Sequence, residues 1–152
     1  MPRQLERYCA KLVSDALGGV EYKLGYRFDF LRGEPTCNQP GGARLPVDAY
    51  YPALKLALEF RESQHYGKRF DFRDSRITAI GKPRKVQRKM YDRKREEILP
   101  TNRIKLLIIY DFELTGNYEE DLHRVNERVK EFSSKMLVGW RIDDICKEQT
   151  NG

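Results

Sequence analysis

Residues 44–66 read RLPVDAYYPALKLALEFRESQHY. Arg44 to Tyr50 holds alternating, β-prone residues, and Pro52 interrupts the run. From Leu54 to Phe60 the alternation resumes, with Leu54, Leu56 and Leu58 on one side and Lys55, Ala57 and Glu59 on the other. This spacing predicts two antiparallel strands joined by a turn near Pro52 and Ala53. Asp48 then stands inside the first strand and Glu59 near the end of the second, so the turn can bring the two carboxylates near each other. Adjacent carboxylates repel unless a proton or a cation lies between them. One or two carboxylates, completed by water and substrate phosphate, suit magnesium.

The charge of the chain is concentrated just beyond this hairpin. Residues 61–95 hold thirteen Lys and Arg against four Asp and Glu, a net +9 in a chain of net +6. Such a segment beside paired carboxylates points to a polyanion whose phosphates are neutralised by Lys and Arg. Lys68, Arg69, Arg73, Arg76, Lys82, Arg84 and Lys85 are the candidate DNA-backbone contacts, and Phe70 and Phe72 interleave with them. His65 lacks the partners a histidine metal site needs and reads as a hydrogen-bonding neighbour of the carboxylates.

Upstream, residues 3–17 carry Leu5, Cys9, Leu12 and Ala16 at helical spacing, closed by Gly18 and Gly19. Residues 20–31 alternate and are rich in aromatics, which predicts a strand. Residues 32–43 hold two prolines and three glycines and read as a loop on the approach to Asp48. Downstream, residues 84–99 predict a second helix, opened by Pro83 and ended by Pro100, with Val86, Met90, Lys94 and Ile98 on its buried line. IKLLIIYDF, residues 104–112, reads as a strand covered on both faces. Tyr118, Leu122, Val125, Val129, Phe132 and Met136 mark an amphipathic helix, packed on the sheet or serving a subunit interface.

The chain of 152 residues, 39% hydrophobic and 34% charged, suits a single domain with a sizeable core. The apolar run at 106–109 is far too short to span a bilayer, and the N-terminal residues lack a signal-peptide apolar region. Three widely spaced cysteines with no CxxC fit a reducing cytoplasm and no zinc site; Cys9 is expected in the core. No phosphate-binding glycine loop, zinc finger or internal repeat is present.

The wording around the hairpin resembles the PD-(D/E)XK nuclease superfamily, and within it the small very-short-patch-repair-like branch. The resemblance rests on Val47-Asp48, Pro52, Leu54-Lys55-Leu56-Ala57-Leu58-Glu59 and Ser63-Gln64-His65-Tyr66, about twenty residues. Asp92, Arg95 and Leu99 of the second helix also match the branch's pattern. The resemblance implies an α/β, restriction-endonuclease-like core, in the order helix, three strands, helix, strand, the same order that the periodicity gives. Residues 1–152 are then one nuclease domain, with 1–114 the core and 115–152 a helical C-terminal extension.

The activity implied is a magnesium-dependent endonuclease on double-stranded DNA, of restriction, homing or repair type. Asp48 and Glu59 would hold the metal, with the Phe60 carbonyl as a further ligand. Glu6, on the first helix, matches a glutamate that such families bring toward the metal; otherwise it is a favourable charge at a helix start. Arg61 departs from the superfamily, where lysine is usual two residues after the strand acid, or aspartate in the closest branch. Arginine cannot deprotonate usefully but can offset developing charge on a phosphate. Gln64 would position water, or Lys94 would replace the absent lysine. Two copies, or two binding events, are needed to cut both strands, which a homodimer supplies. The rival readings are a DNA-binding protein of the same fold that lost catalysis, and a structure-selective or RNA-directed nuclease.

Overall fold

The computed structural model describes residues 4–62 and 84–136, with side chains through 132. Helix α1 spans Gln4–Ala16, strand β1 Lys23–Arg32, β2 Arg44–Tyr51, β3 Leu56–Arg61, helix α2 Arg84–Thr101, strand β4 Lys105–Tyr110 and helix α3 Tyr118–Met136. The four strands form one mixed sheet in the order β1-β2-β3-β4. β1 with β2 and β2 with β3 are antiparallel, whereas β3 and β4 are parallel. A parallel neighbour requires a crossover, and α2 lies in that connection.

Strand pleating sends successive side chains to opposite faces. In β3, Leu56, Leu58 and Phe60 join Leu107 and Ile109 of β4 in a core with Cys9, Leu12 and Val13 of α1 and Val125, Val129 and Phe132 of α3. Ala57 faces the other way, into a second core with Leu99, Ile104 and Leu106. Glu59 and Arg61 share the parity of Ala57 and so face α2. Two hydroxyl contacts fix the first layer: Tyr51 donates to the Ala10 carbonyl at 2.6 Å in the buried core, and Tyr8, half-buried, donates to Asp121 Oδ2 at 2.7 Å.

Several boundaries differ from expectation. The buried side of α1 is Cys9, Ala10, Leu12 and Val13, and Leu5 is exposed. Leu54 is not in β3: Pro52–Leu54 form a 3-10 turn, closed by Lys55 at φ 49. β4 stops at Tyr110, and a further 3-10 turn, Asp111–Glu113, turns Phe112 outward. α2 continues through Pro100 to Thr101, although proline lacks the N–H that would bond the carbonyl four residues back. Its expected buried line is corrected too. Val86 is exposed, and of the Val86–Met90–Lys94–Ile98 line only Ile98 packs on the core; the side turned inward carries Tyr91, Asp92, Arg95 and Leu99.

The loop between β1 and β2 is more ordered than its composition implies. Gly33 N–H donates to the Ala43 carbonyl at 2.9 Å, and Thr36 and Gln39 exchange main-chain bonds. Cys9 is buried as expected and Cys37 is exposed. No helix among the described residues is long and apolar enough to cross a membrane.

Candidate active site

The β2–β3 ladder runs from Tyr51 opposite Leu56 to Ala49 opposite Leu58. Asp48 and Glu59 each lie one residue past the last pair of that ladder. There the Phe60 N–H donates not to a ladder carbonyl but to Asp48 Oδ2, at 2.7 Å. The main chain of β3 thus holds the Asp48 carboxylate in place.

Glu59 is only 5% exposed. Its Oε1 lies 3.3 Å from Arg95 Nε, but that N–H points elsewhere, to the Pro46 carbonyl at 3.0 Å. Glu59 Oε1 is therefore buried without a hydrogen bond among the described residues, an arrangement that folded proteins rarely leave unexplained. Burial pushes the Glu59 carboxyl well above the ordinary carboxylate range, and the neighbouring Asp48 charge adds to this against the opposing pull of Arg95. Burial likewise raises Asp48; the Phe60 N–H opposes it and the Glu6 charge reinforces it. Two acids that favour a proton over a bare charge also favour a cation.

The expected site residues fall into three groups. Glu6, Asp48, Glu59 and Arg61 line one cleft of about 350 Å³, and Arg84 lines its other wall. Arg61 is 7% exposed; its Nη1 is 2.7 Å from Glu96 Oε1 and its Nε is 3.9 Å from Asp92 Oδ2. Lys94 does not face the carboxylates. Its Nζ pairs with Glu34 at 3.2 Å and approaches the Arg32 carbonyl at 3.3 Å, on the loop side of α2, which removes it as a stand-in for the strand lysine. Lys85 is not among the residues lining the cleft. Gln64, His65, Lys68, Arg69, Arg73, Arg76 and Lys82 lie outside the described residues.

Arg95 and Asp92 were assigned no place in the site by sequence reasoning. Arg95 Nη1 pairs with Asp92 Oδ1 at 3.1 Å, and its Nε reaches both strands of the hairpin, so α2 is tied to β2 and β3 beside the two carboxylates. The available signal was the Tyr91–Arg95–Leu99 line, with Asp92 three residues before Arg95: paired opposite charges next to an apolar position on a helix. Gln87 and Tyr91, joined by a 3.0 Å hydrogen bond, also line the cleft.

Asp48 and Glu59 are the two carboxylates here that could hold a divalent cation. Glu59 supplies a buried oxygen without a hydrogen bond, and no group of three or more His, Cys, Asp or Glu among the described residues offers a closed cage. Magnesium commonly takes one or two carboxylates and keeps water for the remainder.

No family model matches the chain. Over 69 residues it is 36% identical to uncharacterized protein 307L of Invertebrate iridescent virus 6, a match covering 40% of this chain and 35% of the viral protein. The 5-hydroxymethylcytosine-specific restriction enzyme AbaSI aligns in structure over 94% of this chain and 48% of its own, with 14% identity and a TM-score of 0.40. The chain thus spans about a third of the viral relative and about half of the restriction enzyme.

Proposed function

We propose that this protein is a magnesium-dependent endonuclease of the PD-(D/E)XK kind that hydrolyses phosphodiester bonds in DNA. The observation that carries the reading is the Asp48–Glu59 pair: two acids on adjacent strands, both pushed toward protonation, one with a buried oxygen lacking a hydrogen bond. Such a pair is costly unless a cation or a proton joins it. The resemblance of residues 47–66 to the superfamily supports the same reading.

Asp48 and Glu59 would hold the metal, with the Phe60 carbonyl as the main-chain ligand that the resemblance implies. When bound, magnesium supplies Lewis acidity, lowering the pKa of water and offsetting charge on phosphate oxygens. The Phe60 N–H keeps Asp48 aimed at the cleft, and Arg95 sets the place of Glu59 from α2. Arg84 and the basic residues 68–85 would hold the DNA backbone. Arg61, with its fixed charge beside Glu59, would offset negative charge that develops on the substrate. Gln64 would position water. A homodimer would supply a second site for a double-strand cut.

One observation favours a second reading, a DNA-binding protein of this fold that does not cut. Arg61 is buried and paired with Glu96, so its charge is already partly answered. Incubation of the protein with mixed-sequence duplex in magnesium, in calcium and in chelator separates the two. The endonuclease reading expects cleavage in magnesium alone; binding without cleavage in any divalent metal would establish the second.

A further inference from the structure

The cleft that holds the carboxylates does not end at Asp48. A second cleft of about 320 Å³ opens on the other side of that residue, over β1, where Leu24, Gly25 and Arg27 line it. Glu6 and Asp48 line both clefts, so the two clefts, together the groove, share these acids. Arg84 and Arg88 line the α2 end together with Glu62 and Asp92; Glu6, Asp48 and Glu59 lie in the middle, and Arg27 stands at the β1 end.

That order selects among ligands. A lone anion needs only one basic end, and a cation alone needs neither. An extended chain of phosphates satisfies all three zones, provided a metal ion neutralises the middle. The β1 end is open at Gly25. Gly25 has φ 58, a backbone state that favours glycine, and no atom stands within 4 Å of the place its Cβ would occupy. Arg27 is exposed on β1, and its Nη1 donates to the Arg44 carbonyl. That bond anchors the side chain while using one of five guanidinium donors.

We propose that the groove holds one nucleic-acid strand, which passes along the first two turns of α2, over the carboxylate pair and out across β1 at Gly25. Arg88 and Arg27 then grip phosphates on opposite sides of the one over Asp48 and Glu59. The inference rests on the nuclease reading and adds to it the path of the strand and a binding role for Arg27.

The test is a salt titration of binding by the full chain, in calcium, to a short labelled single strand and to the matching duplex. The variants are Arg27→Ala, Arg88→Ala, their double, and Arg103→Ala as a control beyond the far end of α2, each shown by circular dichroism to be folded. For the single strand, Arg27→Ala and Arg88→Ala should each flatten the slope of log affinity against log salt by about 0.7, the double by about twice that, and Arg103→Ala should leave it unchanged. If Arg27→Ala matches Arg103→Ala while Arg88→Ala flattens the slope, the strand does not cross β1; the proposal falls and the nuclease reading stands. Binding of duplex with no binding of single strand would also overturn the one-strand path. Failure of the parent to bind either polymer would overturn the nuclease reading itself.

Discussion

Glu59 sits buried beside a second acid, with an oxygen that no donor among the described residues satisfies. Its raised affinity for protons has a definite sign in stability. A carboxyl whose folded pKa lies above its unfolded value contributes stability that is fully present below the unfolded value, near pH 4, and is lost as pH rises through the folded one. In chelator, Glu59→Gln should therefore melt above the parent at pH 8, by about 2 kcal/mol, and the gain should shrink toward pH 5. Magnesium should raise the parent's melting temperature more at pH 8 than at pH 5, because it competes with protons for the same oxygens. Arg95 has the opposite sign. Arg95→Met removes the cation beside Glu59 and should cost about 3 kcal/mol at pH 8, and less at pH 5, where Glu59 takes up a proton instead. Chemical denaturation at the two pH values checks both predictions.

Helix α2 sets the geometry of the site, and its seat depends on contacts that are not apolar. A Cβ at Gly33 would stand 2.7 Å from the Tyr91 hydroxyl and 2.8 Å from the ring carbon bearing it, so a side chain there must push the end of the Tyr91 ring aside. Gly33→Ala should cost about 1–3 kcal/mol through overpacking, and Tyr91→Leu in the same chain should recover part of it, a coupling that a double-mutant cycle measures. Lys94→Ala loses a partly exposed pair with Glu34 and a hydrogen bond to the Arg32 carbonyl and should leave single-turnover cleavage near the parent rate. The hairpin was legible in the sequence because its alternation has period two and its acids fall within the strands. The inward side of α2 was not, because it is built from Asp92 and Arg95, whose mutual charge lets them occupy positions that an apolar pattern assigns to Val86 and Met90. The Gly33–Tyr91 contact was hidden because it joins segments far apart in the chain.

Across the whole molecule, two cores lie on opposite faces of one sheet, and the carboxylates stand on the α2 face at the point where β2 and β3 diverge. α3, which the sequence assigned either to the sheet or to a subunit interface, shares its core with α1. Arg84, Arg88, Arg95 and Arg61 line the first cleft together with Glu6, Asp48, Glu59, Glu62 and Asp92. The most direct measurement is single-turnover cleavage of duplex DNA in magnesium at saturating protein, for the parent, Asp48→Ala and Glu59→Ala, with affinity measured separately in calcium. The account predicts cutting by the parent, loss of at least about a hundredfold in each variant, equivalent to about 2.7 kcal/mol of barrier, and DNA affinity kept in both. Cleavage by either variant at close to the parent rate would contradict it.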